Sequence, residues 1–302
     1  MRIRLLIVVA FAILVPGATA ASSATVAEKN GAPGVSVERT TLAGTPAILR
    51  VPDKIERPPV ILWHGLGPPG EKNALMAALP LDDVPAVKVY LDLPLFGERL
   101  PAGGLAELPE RQSRDYGMEI FAPVVVGAAE ELSAVVEALN ARIDGPAEGG
   151  VSLFGFSAGG AAVLLAPAER DVRIRSAVVL NAPNGLEGGV AAFEAVTGST
   201  YSWTDDARSV AWRTDASARA AAGAGSAPRA AVLLVHGLSD EVVSPTGAEA
   251  IERALRPFYE AAGEGAQREI DLRDGLEHHW AVQDAGVVDP LRRRVGDWLR
   301  RH

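Results

Sequence analysis

The sequence predicts an α/β fold, a doubly wound and mostly parallel eight-stranded sheet with helices on both faces, and three observations carry that prediction. Apolar runs of Val, Ile and Leu recur without the polar alternation of a half-exposed strand, which marks burial on both faces. Segments of helical period fall between those runs, as in repeated strand–helix–strand units. A Gly-Phe-Ser-Ala-Gly sequence at 155–159 lies between one such run and a helix of small residues, a strand-to-helix junction.

The expected strands follow in order. Val35–Leu42 and Pro46–Val51 flank Ala43-Gly44, a hairpin signal. Pro59–Trp63, Val87–Leu91, Gly150–Phe154, Ile174–Leu180, Ala230–Val235 and Glu269–Leu272 complete the sheet. Helical patterns occupy Glu119–Arg142, Ala158–Leu165, Pro245–Ala261 and Asp289 to the C-terminus. The long stretch after Asn181, with Phe193, Tyr201, Trp203 and Trp212, exceeds an ordinary connection and reads as a small helical cap insertion at about 185–228.

Composition narrows the function classes. Among 302 residues, 48% are hydrophobic and 22% charged, the balance of a globular protein. The count of zero Cys removes disulfides, thiolate metal sites and thiol nucleophiles. A net charge of -9 argues against a nucleic-acid partner, which needs basic patches. At the N-terminus, Arg2 and Arg4 precede the apolar run Leu5–Val15, then Pro16-Gly17 and the small-residue site Ala18-Thr19-Ala20. The run is shorter than the roughly 20 residues of a membrane span, so 1–20 reads as a secretory signal peptide cleaved after Ala20. Residues 21–302 are then a single secreted or periplasmic domain with no membrane span, and loss of Arg2 and Arg4 takes its charge to about -11.

The chemistry is read from the 155–159 segment. By composition a Gly-x-Ser-x-Gly arises only ~0.16 times by chance, and its position after a strand and before a helix makes it a nucleophile elbow. Gly155 and Gly159 leave the sharp turn free of side chains, and Ser157 projects its hydroxyl beside the N-terminal amides of the helix. A serine hydroxyl needs a base within hydrogen-bond reach. Of the five histidines, His64 and His236 end strands in His-Gly-Leu turns and His302 is terminal, which leaves His278 or His279 in the loop after the last strand. Asp240, off the carboxyl end of the Ala230–Val235 strand, is the expected carboxylate partner, with Asp271 and Asp274 as fallbacks. The glycine-rich turn His64-Gly65-Leu66-Gly67 is an expected oxyanion loop, its donors the amides of Leu66 and Ala158, with Gly65 allowing close approach.

With the His64–Gly67 turn, the elbow at Ser157, the His-Gly-x-x-Asp segment at 236–240 and a late histidine present in that order, the chain resembles the α/β-hydrolase superfamily, serine esterase branch. Leu91–Arg99 contains Asp-x-Pro-x-x-Gly-x-Arg, similar to a loop of dienelactone-hydrolase-like and prolyl-oligopeptidase-like catalytic domains. In those branches an aromatic stands two residues after the base, so the resemblance implies His278, followed by Trp280, over His279. It also implies carboxylic ester hydrolysis through an acyl-enzyme, with a small-molecule ester as substrate. The alternatives are a peptidase or acyltransferase on the same triad, or a non-catalytic binding protein. No phosphate-binding loop, zinc-protease motif or dinucleotide fingerprint is present, so neither cofactor nor metal is expected.

Overall fold

The computed structural model describes residues 27–28, 33–143, 149–169, 172–221, 230–261, 263 and 267–302. The signal segment at 1–20 and the end of the cap at 222–228 lie outside the described residues.

All eight expected strands are present: β2 (Val35–Leu42), β3 (Thr45–Pro52), β4 (Val60–Trp63), β5 (Lys88–Leu91), β6 (Val151–Phe156), β7 (Ile174–Leu180), β8 (Ala231–Gly237) and β9 (Arg268–Arg273). A two-residue strand, β1 (Ala27–Glu28), adds a ninth at the edge beside β2. The order is β1-β2-β3-β5-β4-β6-β7-β8-β9. The first three strands pair antiparallel with each other and β3 with β5, and every later pairing is parallel.

That order creates a switch point. The chain leaves β4 toward β5 on one side and returns to β6 on the other, so the connections after β4 and β6 diverge and open a crevice at the carboxyl edge. Register aligns the strand ends there: Trp63 pairs with Gly155, Gly155 with Val179, and Val179 with Leu234. The residues that follow each strand therefore emerge at one level.

Parity along the strands explains the continuous apolar runs. Ile61, Trp63, Val89, Leu91, Leu153 and Val179 face one core, with α3 (Gly127–Asn140) and α4 (Ala158–Glu169) packed on that side. Val60, Leu62, Tyr90, Phe154, Val178 and Leu233 face the other, under α1 (Lys72–Ala78) and α9 (Ala285–Arg301). Both faces are dry, so alternation has no place in these strands.

Three helical segments depart from expectation. The patterns gave no sign of the short α1 or of α2 (Glu107–Asp115). The helix expected over Glu119–Arg142 is instead a π-helical stretch, Tyr116–Val126, running into α3. Pro123 lies inside that stretch. It has no N–H for an α-helical ladder and its ring crowds the preceding turn, and wider winding accommodates both.

The cap comprises α5 (Gly185–Thr197), α6 (Asp205–Thr214) and α7 (Ala216–Ala221), and α8 (Thr246–Ala261) follows β8. The cap docks on the π-helical stretch. Tyr116 and Phe193 stack with centroids 4.8 Å apart, and Tyr201 Oη donates to Asp115 Oδ1 at 2.6 Å. The same Asp115 oxygen accepts the Met118 N–H, so one carboxylate caps the stretch and anchors the insertion.

Lys88 on β5 is fully buried, and its Nζ donates to Val84 O at 3.1 Å. Burial pushes its ammonium down to about 8, with Asp82 opposing and Arg50 assisting. Between about pH 8 and the ordinary value of 10.5 the unfolded chain holds a proton that the folded chain has lost, so this group makes stability rise with pH across that window. Lys88→Met is expected to stabilise the protein by about 1 kcal/mol at pH 7. In urea titrations from pH 7 to 10 its advantage over the parent should shrink, and a constant difference would count against the assignment.

Candidate active site

Ser157 follows β6 directly and precedes α4. Its φ of +53° lies in the left-handed region, where a non-glycine residue is strained. The turn is held on both sides: Ser157 N–H donates to Leu180 O at 2.9 Å, and Ser157 O accepts from Ala161 N–H as α4 begins. Side chains on either flank would collide, since a Cβ at Gly155 would run into the Gly159 carbonyl and one at Gly159 into the carbonyls of Trp63 and His64. Gly159 N–H in turn donates to His64 O at 3.1 Å, which pins the start of α4 against the end of β4.

The structure brings three of the expected residues into one hydrogen-bonded chain. His278 Nε2 lies 3.1 Å from Ser157 Oγ and His278 Nδ1 lies 2.8 Å from Asp240 Oδ2. With Nδ1–H donating to the carboxylate, Nε2 is left to accept the serine proton. Asp240 Oδ1 accepts the Val242 and Val243 N–H groups at 2.9 and 2.8 Å. Burial alone would raise the Asp240 carboxyl. Hydrogen bonds from His236, His278 and the Val243 backbone outweigh it and hold the carboxyl well below the usual carboxylate range.

His279 is displaced from this chain. Its half-exposed ring lies edge-on to His278, with centroids 5.4 Å apart, and against Gly67. Partial burial and the neighbouring His278 push its imidazole below the ordinary value, against a raising contribution from the Pro68 backbone. Of the two fallback carboxylates, Asp271 accepts from Arg273 Nε at 2.9 Å and Asp274 is exposed in the turn after β9. Trp280, fully buried, meets Phe156 edge-on at 6.1 Å, and Phe156 lies 5.2 Å from the His278 ring. The aromatic two positions after His278 thus braces the residue on which the imidazole rests.

The glycine-rich turn approaches Ser157 closely: a Cβ on Gly65 would lie 3.0 Å from Ser157 Cβ and 2.8 Å from the Phe156 ring. Among the described residues, neither the Leu66 nor the Ala158 amide donates a backbone hydrogen bond outside regular elements, and Ala158 opens α4, where intrahelical acceptors are lacking. His64, which sequence reasoning left without a role, orients this turn. Its Nδ1–H donates to Gly65 O at 2.7 Å and its Nε2 accepts the Leu93 N–H at 3.1 Å. Burial pushes His64 down to about 4, so it is neutral at neutral pH. Holding the Gly65 carbonyl also fixes the Leu66 N–H, which points the opposite way across the trans peptide.

The Leu91–Arg99 segment supports His64 from behind. Asp92, fully buried, accepts from the Lys72 backbone and ammonium and from Glu98 N–H. Gly97 at φ +58° presses so close to the Asp92 carboxylate that any side chain would overlap it. Arg99 clamps Glu131 with two nitrogens. Sequence reasoning found the motif but no task for it, because the contacts that couple it to His64, the Leu93 N–H, the Asp92 carboxylate 3.7 Å from Nε2 and the Phe96 ring edge-on at 6.1 Å, form only in the fold. Among the described residues no group of three His, Asp or Glu side chains is arranged to hold a metal, and no helix is long and apolar enough to cross a membrane.

No protein-family model and no curated protein matches the sequence. Solved structures match over most of the chain. TT1662 from Thermus thermophilus is 23% identical with a TM-score of 0.65, covering 88% of this chain and 98% of its own. A puromycin-hydrolysing peptidase from Mycobacterium tuberculosis is 19% identical with a TM-score of 0.61, and the match covers 91% of this chain but 40% of the peptidase. Acetyl xylan esterase 1 from a Thermoanaerobacterium species is 15% identical with a TM-score of 0.58, covering 91% and 87%. In strand order, in the turn at Ser157 and in its likeness to these structures, the chain has the α/β-hydrolase fold.

Proposed function

We propose that the protein is an exported serine hydrolase that cleaves carboxylic esters through an acyl-enzyme. The observation that carries the proposal is the continuous hydrogen-bonded chain Ser157–His278–Asp240 at the carboxyl edge of the sheet, with the serine on a strained turn. Ser157 Oγ attacks the ester carbonyl carbon while His278 Nε2 takes its proton, and Asp240 holds the imidazolium that forms. The amides of Leu66 and Ala158 receive the negative charge that develops on the carbonyl oxygen. Collapse of the tetrahedral intermediate expels the alcohol, which takes the proton from His278, and leaves an acyl group on Ser157. Water then attacks the acyl carbon with His278 as base, which releases the acid and restores the serine.

Esterases among the structural neighbours support the ester reading, and the peptidase among them keeps amide substrates as the second reading. The segment at 1–20 supports export. One experiment addresses both parts: the full-length chain is expressed, collected from the periplasm or medium, reacted with a fluorophosphonate and analysed by intact and peptide mass spectrometry. The expected product starts at Ala21 and carries one adduct, on Ser157. Absence of labelling would favour a non-catalytic binding protein, and an intact N-terminus would remove the export assignment. Product analysis with alcohol and amine acceptors separates hydrolysis from acyl transfer.

A further inference from the structure

Asn181 follows β7, fully buried, with φ +46°. Asparagine tolerates this left-handed conformation better than most residues. Its position is unusual in what it joins. Its N–H donates to Val235 O at 3.0 Å, and its side-chain Oδ1 accepts Gly237 N–H at 2.9 Å, so it grips the end of β8 just before the loop that carries Asp240. Its Nδ2 donates to Glu277 O at 2.9 Å and reaches His278 O at 3.4 Å, the backbone of the loop that carries the imidazole. The preceding residue, Leu180, accepts the Ser157 N–H. The two loops also touch directly, because a side chain on Gly237 would overlap the Leu276 carbonyl.

From this geometry we infer that Asn181 is a positioning residue, an amide clamp that fixes the loop bearing His278 against the end of β8, from which the loop bearing Asp240 leaves, so that the imidazole bridges carboxylate and serine. The inference rests on the proposed triad. Its side chain uses both kinds of hydrogen-bonding group on two separate atoms, an acceptor oxygen toward β8 and a donor nitrogen toward the His278 loop, which neither a single hydroxyl nor an ionised carboxylate supplies. Without it three backbone groups, two of them buried, lose a partner, and the loop is free to shift by the fraction of an ångström that separates a productive hydrogen bond from a broken one.

The test uses two variants of the mature protein. Asn181→Asp keeps the shape and the acceptor toward Gly237 but turns a carboxylate oxygen toward two carbonyls. Asn181→Gly keeps the left-handed backbone and removes the clamp. For p-nitrophenyl acetate both are expected to lower kcat by about 10–100-fold. KM should stay within about twofold, because no substrate contact is removed. The downfield proton resonance of the His278 Nδ1–H, assigned by its loss in His278→Ala, should move or broaden in both. Parental kcat together with an unmoved resonance would overturn the inference, as would a fall in Tm alone. Because the resonance is read without substrate, it tests the clamp even if the parent hydrolyses no ester and the catalytic reading fails.

Discussion

Ser157→Ala is expected to lower kcat on a short-chain p-nitrophenyl ester by about 10⁶-fold while leaving the fold intact. The size of the effect follows from chemistry: alanine carries no oxygen to form the acyl bond, and His278 alone has no covalent route to the product. Retention of the fold follows from the packing. Ser157 accepts the left-handed turn through its backbone, held by Leu180 O and Ala161 N–H, and alanine keeps both bonds. Among the described residues its side chain takes part in one hydrogen bond, to His278. Some rate above that of water should survive, since the Leu66 and Ala158 amides remain in place. A steady-state assay paired with thermal melting checks both halves, and undiminished turnover in a folded variant would remove Ser157 from the mechanism.

The second large effect separates the paired histidines. His278→Ala should cost about 10⁴- to 10⁶-fold in kcat, because the base and the leaving-group acid disappear together. His279→Ala should stay within about tenfold, the scale of a lost auxiliary contact rather than of a lost general base. The difference is geometric: His278 Nε2 is 3.1 Å from Ser157 Oγ, whereas the His279 ring lies against Gly67 of the glycine-rich turn. A larger loss in the second variant would reverse the assignment. Hydrogen bonds hold the Asp240 carboxyl below the usual range despite its burial, so it stays ionised where an ordinary carboxylate would take up a proton, and the acid limb of the activity is not set by Asp240. Asp240→Asn should therefore remove activity across the whole range rather than shift its acid limb.

The strands were legible because burial on two faces leaves its mark on each residue independently. Neither neighbour of Ile61 along β4 could be polar, since Val60 and Leu62 face a second core. Helices were legible where they are long and carry a clear stripe, as in α8 and α9. The short α1 offers too few turns for a period to show, and the stretch around Pro123 follows a winding that a 3.6-residue template misreads. The glycines at 155 and 159 signalled a tight crossing, and the atoms they would strike are backbone carbonyls of β4 and α4, brought there by the switch point of the sheet.

From the sequence alone came the class of fold, the serine at the strand-to-helix turn, the carboxylate after β8 and the pair of histidines from which the base is drawn. Each of those is a local property, a residue type beside a strand end or a glycine beside a turn. The resemblance favoured His278 over His279, and the tertiary structure places His278 rather than His279 within 3.1 Å of Ser157 Oγ. The two are adjacent in one loop, and which of them faces Ser157 depends on how that loop docks. Trp280 is buried against Phe156, Asn181 holds the carbonyls of Glu277 and His278, and Gly237 admits Leu276. Those contacts come from residues far away in the chain, more than a hundred positions in the case of Phe156 and Trp280, and no local pattern encodes them, because a buried amide or aromatic is specified by what it meets rather than by what precedes it.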